Sequence, residues 1–241
     1  MKVTSLSFVF LFFLISCGLE TYIYLEPVEN IIIDEVMSVT INLPPRSTQP
    51  DEFRHYIIYY RIYLSNHPPA GTPNDHEYRN AINQALASHF NSLSSLTTID
   101  IISASLVISE FNRLSYFPLS IENSSGIIVP ISNILNNDGV VYIDFTNPDD
   151  IGPFVRVNSS QNFPLIRPST AYPTPSDNNS FFYSDGIEYI ENIGPGINTD
   201  VHGNPYISRA YASMYIIAFG IDSNYSPIYS RATHIGIFLL P

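Results

Sequence analysis

The only cysteine in the chain, Cys17, closes an apolar run and is the residue whose chemistry the sequence indicates most clearly. Lys2 supplies a positive start, residues 6–15 are apolar apart from Ser7, and the small residue Ser16 precedes the thiol. These are the parts of a secretory signal peptide in their required order. The run is shorter than the roughly 20 apolar residues that span a bilayer, so cleavage is favoured over a retained transmembrane helix.

The tetrapeptide Leu14-Ile15-Ser16-Cys17 resembles the lipobox of bacterial lipoproteins, whereas an ordinary signal peptide ends in an A-x-A-like pair of small residues. The resemblance covers residues 1–17. It implies cleavage between Ser16 and Cys17 by a lipoprotein signal peptidase, a thioether lipid on Cys17 and acylation of the new amino terminus, for example by palmitate. Several acyl chains are needed for stable membrane binding, because one chain binds only marginally. The alternative is an incidental cysteine near an ordinary cleavage site.

Two groups of oxygen-bearing residues could in principle hold Ca²⁺. Asp144, Asp149 and Asp150 surround a predicted turn, and Asp200 and His202 fall in a predicted loop. Neither group has the D-x-D-x-D-G spacing of a calcium loop, so solvated acidic loops are favoured and no metal site is assigned. The histidines are scattered, with no two at the spacing of metal ligands on a helix: His55, His67, His76, His89, His202 and His234.

Most catalytic motifs are excluded. A P-loop or a Ser-Lys hydrolase needs a lysine, and the chain has none after Lys2. The sequence also lacks H-E-x-x-H, a cysteine pair and G-x-S-x-G. We therefore assign no catalytic residue and no cofactor, and predict that the protein is not an enzyme. The alternative is a carboxylate-dependent extracytoplasmic hydrolase, which needs two carboxylates about 5 to 9.5 Å apart in a cleft.

Composition limits the partners. Acidic residues number 22 against ten basic ones, and loss of Lys2 with the signal peptide makes the remainder more acidic still. Such a surface repels phosphate backbones, so nucleic acid is excluded as a partner. A single cysteine allows no internal disulfide, and the fold must rest on its core. The length suits one large or two small domains.

Alternation of apolar residues predicts a mainly β body. The clearest strand is 53–64. Either both of its faces are covered, or one is covered and the other displays tyrosines, and His55 and Arg61 on the second face favour the latter. Residues 209–221 and 228–240 predict a C-terminal hairpin around Asp222-Ser223-Asn224. Residues 126–135 and 140–145 flank Asn137-Asp138-Gly139, which predicts a middle hairpin near 126–146. Further predicted strands are 31–43, ending at Pro44-Pro45, an extended segment at 114–121, and short strands at 153–157 and 163–166.

One segment has a different period. Thr72 can cap a helix with Pro73 at its first position, and apolar residues then recur every three to four positions. This predicts one amphipathic helix near 73–96 that packs on its own sheet. Two long polar loops, 167–180 and 192–205, are candidate contact surfaces.

Two stretches resemble a fibronectin type III domain. Residues 53–63 are similar to its third strand, and residues 211–221 with 228–239 are similar to its last hairpin. The resemblance implies an antiparallel β-sandwich of fibronectin type III or immunoglobulin-like type over residues 31–241. The helix and the middle hairpin are then a large insertion, and residues 17–30 form a lipidated terminus and tether that ends along the body. The tryptophan common in that family's core is absent.

The lipobox followed by Gly-Leu-Glu, the strand with Tyr-Tyr-Arg-Ile-Tyr and the final Gly-Ile-Phe-Leu-Leu-Pro resemble a group of spirochaete-type lipoproteins of unknown activity. The resemblance implies a lipid-anchored protein of the cell envelope, facing the periplasm or the exterior. Gly18 differs from the acidic inner-membrane retention signal of enteric lipoproteins, which favours the outer membrane. We expect a binding or structural module whose partners are the membrane, through the anchor, and a protein or glycan ligand.

Overall fold

The structure is a computed structural model that describes residues 23–35, 37–64, 108, 111–112, 116–146, 153–158, 161–167, 201–203 and 210–240. Within these ranges, no helix has the length and apolar character that crossing a membrane requires. The strands are β1 (Asn30–Glu35), β2 (Ser38–Leu43), β3 (Phe53–Leu64), β4 (Phe117–Pro118), β5 (Ser120–Glu122), β6 (Ile128–Pro130), β7 (Gly139–Asp144), β8 (Phe154–Val157), β9 (Phe163–Ile166), β10 (Val201–Gly203), β11 (Ala210–Ile221), β12 (Pro227–Tyr229) and β13 (Thr233–Leu239).

The strands form two sheets. The first sheet has the order β1-β2-β7-β8-β9-β5-β6, with antiparallel pairing throughout. The second has the order β10-β3-β11-β12, while β13 also pairs with β11 and β4 with β3. Only the pairing of β10 with β3 is parallel among the described strands. Their inner faces share one hydrophobic core, which confirms the prediction of a mainly β, antiparallel, sandwich-like architecture.

In the core, large side chains on β3 lie opposite smaller side chains on β11. Alternate residues of a strand point to opposite faces, so one side of β3 enters the core with Tyr56, Ile58, Tyr60 and Ile62, each at most 1 % exposed. On β11 the partners of the two tyrosines are Ala218 and Met214. Phe145 after β7 and Phe238 on β13 stack with ring centroids 5.1 Å apart, which joins the two sheets.

The outer face of the second sheet carries a second cluster and does not display its tyrosines as expected. Tyr59 and Tyr215 are directly opposite each other on β3 and β11 and are only 7 % and 0 % exposed. Phe111 stacks on Tyr59 at 4.4 Å between centroids, and Tyr116 packs edge-on against Tyr215 at 5.4 Å. The expectation is wrong at the centre of this face because Phe111 and Tyr116, which follow the predicted helix in the chain, pack over it.

Two long strands agree with the sequence. The predicted strand 53–64 coincides with β3, and the C-terminal hairpin is confirmed by the pairing of β11 with β12 and β13. The predicted short strands near 153–157 and 163–166 correspond to β8 and β9. Residues 31–43 instead form two strands, β1 and β2, which pair as a hairpin, because a turn at Met37 interrupts the β-branched run. The extended segment 114–121 contains β4 and the start of β5.

The predicted middle hairpin across Asn137-Asp138-Gly139 is wrong. β6 pairs with β5, whereas β7 pairs with β2 and β8. The glycine serves a different purpose: it has φ +144°, and the side chain of Asn158 occupies the space that a Cβ would need. The Asn158 amide accepts from Val140 N–H at 2.8 Å and donates to the Asp138 carbonyl at 3.2 Å. Gly139 therefore permits a close approach between β7 and the end of β8.

The described part of the predicted tether packs on the body. Leu25 and Val28 are 1 % and 0 % exposed and belong to the main core. Buried Gln49 accepts from the Glu26 backbone N–H at 3.0 Å and donates to its carbonyl at 2.9 Å and to the Tyr56 hydroxyl at 3.1 Å. The chain is thus fixed to the sandwich several residues before β1 begins.

Several predictions lie outside the described residues. They are the signal peptide 1–16, the lipidation residue Cys17, the helix near 73–96, the loop 192–205 apart from residues 201–203, and the loop 167–180 apart from Arg167. These stay predictions.

Candidate functional site

The outer face of the first sheet brings polar, aromatic and apolar side chains into rows. The strand registers place Ile32 beside Thr40, Thr40 beside Tyr142 and Tyr142 beside Arg156. The next row contains Asn30, Asn42, Val140 and Asn158. Two exposed apolar residues lie among these polar groups, since Ile32 is 49 % exposed and Val140 is 45 % exposed.

A cleft of about 440 Å³ opens on this face, lined by Thr40, Val140, Tyr142, Arg156 and Asn158. Its volume lies within the 300–1,000 Å³ typical of small-ligand sites. The lining combines a cation, a phenol, a hydroxyl and an apolar side chain. Such a mixture can hold a planar or cyclic polar ligand by hydrogen bonds while covering its apolar side.

The aromatic and cationic groups of this cleft are held in place by a chain of contacts. The Arg156 guanidinium lies over the Tyr142 ring, 5.2 Å from its centroid. The Tyr142 hydroxyl donates to Asp144 Oδ2 at 3.0 Å. Asp144 Oδ1 accepts from the Thr146 N–H at 2.7 Å and from its hydroxyl at 2.5 Å. Asp144 therefore holds the Tyr142 hydroxyl, and the Tyr142 ring lies beneath the Arg156 guanidinium.

The arginine is the group in this cleft with the most unused donor capacity. A guanidinium carries five N–H donors in a planar arrangement that matches a carboxylate or vicinal hydroxyls. Asn158, by contrast, uses both ends of its amide to hold Val140 and Asp138. Arg156 is therefore the candidate residue for ligand contact in this cleft, and Asn158 is a candidate supporting residue.

A second cleft, of about 290 Å³, lies where the N-terminal segment meets β2. Its lining includes Glu26, Glu29, Asn42 and the Pro44-Pro45 pair. The Glu29 carboxylate pairs with the Arg231 guanidinium at 3.2 Å, with both side chains largely exposed. An exposed pair of this kind contributes little to stability. Two glutamates, Glu26 and Glu29, thus line the same cleft.

The second sheet has an aromatic strip at one end of its outer face. His55 stacks on Phe219 at 4.8 Å, and Phe219 packs against Tyr229 at 5.2 Å. Burial lowers the pKa of His55 and raises the pKa of Tyr229, so both rings are neutral near pH 7. This strip is continuous with the covered cluster around Tyr59. Its rings offer a surface for stacking, and among the contacts described no cation lies beside them.

A serine and a histidine approach each other beneath that cluster. Ser213 Oγ lies 3.5 Å from His234 Nε2 and 3.0 Å from the Tyr116 hydroxyl. Ser213 is 0 % exposed and shares its hydroxyl with Tyr116, so a substrate cannot reach it in this conformation. The contacts instead satisfy polar atoms inside a packed aromatic layer.

The structure describes only some of the residues that were singled out from the sequence. Asp144 is described and supports Tyr142, whereas Ser16, Cys17, Asp149, Asp150 and Asp200 lie outside the described residues. In the described ranges no three His, Cys, Asp or Glu side chains group closely enough to hold a metal ion. The sequence analysis missed Arg156, Tyr142 and Asn158. Their alternation along 140–144 and 154–158 indicates a shared face, but it does not show that β7 and β8 are neighbours.

Comparisons with protein-family models, with curated proteins and with solved structures give no match to this chain.

Proposed function

We propose that the protein is a lipid-anchored lipoprotein of the cell envelope whose β body acts as a non-enzymatic binding or structural module. The observation that carries this proposal is the lone Cys17 directly after an apolar run and a small residue, in the order Leu14-Ile15-Ser16-Cys17. Two further observations support it. The chain packs onto the body from Leu25 onward, which leaves a short connection to an anchor, and the body is β-rich and acidic.

Metabolic labelling tests the anchor. Cells that express the wild-type chain, Cys17→Ser or Ser16→Ala are labelled with palmitate and fractionated, and the mature proteins are analysed by mass spectrometry. We expect label and membrane association for the wild type and for Ser16→Ala, which keeps a small residue before the thiol. Cys17→Ser is expected to lose both. An unmodified Cys17 thiol, or an intact Met1 terminus, in the mature wild-type protein would overturn the proposal.

The outer membrane is the proposed location because Gly18 follows the lipidated cysteine. Separation of inner and outer membranes on a density gradient tests this, with Gly18→Asp as the matched variant that introduces an acidic residue at the sorting position. Proteinase treatment of intact cells then distinguishes a periplasmic body from one on the exterior. Recovery of wild type and Gly18→Asp together in the inner membrane would contradict the outer-membrane location.

The cleft around Arg156 is the proposed contact surface for a protein or glycan ligand. Three features support this role: a guanidinium over an aromatic ring, a tyrosine hydroxyl held by Asp144, and the exposed side chain of Val140. Binding of the purified body to a glycan array and to envelope extracts after crosslinking provides the test. Arg156→Gln removes the cation, and Arg54→Gln is a matched control, since Arg54 is exposed and bonds to carbonyls at the start of β3. Equal binding by both variants would rule out the cleft.

We also propose that the sandwich is a variant of the fibronectin type III and immunoglobulin-like fold. In that fold one sheet has the order A-B-E-D and the other contains C-F-G. Strands β1-β2-β7 occupy positions like A-B-E, and β3-β11-β13 positions like C-F-G. The departure is β8, which takes the place of D although it follows β7 in the chain.

Backbone chemical shifts over 73–96 test the proposed inserted helix.

A carboxylate-dependent hydrolase is the second candidate, because Glu26 and Glu29 line one cleft. In that case the pair supplies the general acid and the second carboxylate of a glycosidase. Release of reducing ends from envelope polysaccharides by the wild type, and its loss in both Glu26→Gln and Glu29→Gln, would support it. Activity that survives both substitutions would exclude the pair.

A further inference from the structure

The N-terminal segment reaches the sandwich at one defined end. Gln49, in the connection between β2 and β3, holds both backbone polar groups of Glu26. The start of β3 is joined to the end of β11 there, since the Ile221 N–H donates to the Glu52 carbonyl at 3.0 Å and Gly220 pairs with Phe53. We call this the proximal end; it comprises residues 24–29, 45–52 and the turn 222–226.

The opposite end is a full strand length away. β3 and β11 pair in antiparallel register from Gly220 with Phe53 to Ala210 with Leu64. β3 has twelve residues, so its first and last Cα atoms, eleven steps of about 3.3 Å apart, are separated by about 36 Å. Residues that pair near Leu64 and Ala210, including Tyr63 with Tyr211, therefore form the distal end.

The chain between the candidate lipid and the sandwich is short. Leu25 is eight residues after Cys17, and Leu25 is buried in the core. Eight residues span at most about 28 Å even when fully extended. A lipid on Cys17 thus keeps the proximal end within this distance of the bilayer surface, whereas the distal end can lie a further strand length away.

The proximal end also carries two unusually exposed tyrosines. Tyr225 is 91 % exposed, and Tyr24 is 57 % exposed. Tyr225 lies at the tip of the turn with φ +62°, in a conformation that few non-glycine residues adopt. Asp222 Oδ1 holds the turn by accepting from the N–H groups of Asn224 at 2.8 Å and Ser226 at 2.7 Å. The ring is therefore presented to solvent from an ordered turn.

Tyrosine is enriched where proteins meet the headgroup layer, because its ring is apolar and its hydroxyl can stay hydrated. The charge of the chain selects the kind of lipid. Its net charge is −12, and the proximal end includes Glu26, Asp51 and Glu52. The Arg46 guanidinium there is used internally, on the carbonyls of Gln49 and Pro50. Anionic headgroups would repel this end, and zwitterionic headgroups would not.

We propose that the proximal end of the sandwich rests on a zwitterionic phospholipid surface, with Tyr24 and Tyr225 in the headgroup layer and the distal end directed away from it. This inference rests on the proposed lipid anchor at Cys17. It adds an orientation: the turn 222–226 contacts lipid, and the ends of β3 and β11 near Leu64 and Ala210 lie on the side away from the lipid.

The absence of tryptophan from the chain allows a direct test. Native lipidated protein with Tyr225→Trp, or with Tyr63→Trp as the distal control, is inserted into phosphatidylcholine vesicles with or without brominated acyl chains. Each variant then has a single tryptophan. Bromine quenches indole fluorescence only at short range, so the position of each indole relative to the bilayer is read directly. The Cys17→Ser form of each variant gives the unanchored background.

We expect several-fold stronger quenching for Y225W than for Y63W. Equal quenching of the two variants, or none for Y225W in protein that floats with the vesicles, would overturn the orientation and leave the anchor intact. Failure of both variants to float with the vesicles would overturn the anchor and the orientation together. Replacing half of the phosphatidylcholine by phosphatidylglycerol is expected to weaken the quenching of Y225W, and stronger quenching would contradict the choice of lipid.

Discussion

The side-chain amide of Asn158 fills the space beside Gly139 that any other residue would need for its Cβ. Asn158 itself has φ +50°, a left-handed conformation that asparagine tolerates better than most residues. The two residues join β7 to the end of β8 through hydrogen bonds that the amide makes with Val140 and Asp138. This junction forms one wall of the cleft that contains Arg156.

Gly139→Ala is expected to destabilise the body by about 1–3 kcal/mol, because the new methyl group meets the Asn158 amide and the backbone stays at positive φ. Urea denaturation measures the loss. Gly126→Ala is the matched control, since Gly126 also has positive φ but its Cβ would meet only the Glu122 carboxylate at 3.5 Å. A larger loss for Gly126→Ala than for Gly139→Ala would contradict the role of Asn158.

Gln49→Leu is expected to lower the free energy of unfolding by about 2–4 kcal/mol. The substitution removes the buried side-chain partner of the Glu26 N–H, the Glu26 carbonyl and the Tyr56 hydroxyl. Hydrogen exchange at the Glu26 amide should become faster in the same variant. Ser47→Ala, an exposed position two residues earlier, is the control and should leave both quantities unchanged. Unchanged exchange in Gln49→Leu would show that other contacts hold the N-terminal segment.

Alkaline pH is expected to destabilise the fold. Burial raises the pKa of Tyr56 to about 12 and also raises the pKa of Tyr59. In the unfolded chain both phenols ionise near pH 10, so the unfolded state releases protons first and stability falls as pH rises from about 10 towards 12. Urea denaturation at several pH values measures the slope. Tyr56→Phe should make the slope shallower, and an unchanged slope in both Tyr56→Phe and Tyr59→Phe would contradict this account.

Arg156→Gln is expected to weaken binding of a ligand in the cleft by about tenfold or more, since hydrogen bonds to a charged group contribute about 1.5–3 kcal/mol. Arg156→Lys keeps the charge but not the planar fork and should recover only part of the affinity. Titration calorimetry with the ligand found on the array measures both. Full affinity in Arg156→Lys would indicate that charge alone is recognised, and full affinity in Arg156→Gln would exclude this residue.

The sequence predicts individual strands here better than it predicts their partners. β3 and β11 are long runs rich in aromatic and β-branched residues, so the sequence predicts their bounds closely. Asn137-Asp138-Gly139 has the composition of a tight hairpin turn, but its glycine serves a close approach by Asn158, 19 positions later. A pattern over a few residues cannot show a contact at that separation.

The candidate cleft illustrates the same limit. Tyr142 and Asp144 alternate along β7, and Arg156 on β8 is followed two positions later by Asn158, just after the strand, a spacing that indicates two pairs on one face. Their meeting depends on the register of β7 with β8, which the surrounding core and the Asn158 junction set. Likewise, the cover that Phe111 and Tyr116 place over Tyr59 and Tyr215 joins residues far apart in the chain.

The layer of aromatic rings over Tyr59 and Tyr215 has a consequence for how the molecule opens. β3 and β11 are packed on their inner faces by the main core and on their outer faces by this second cluster. Local openings that expose an edge strand such as β1 leave the β3-β11 ladder untouched. The amides shared by these two strands should therefore be the last in the protein to take up deuterium, at a rate set by complete unfolding.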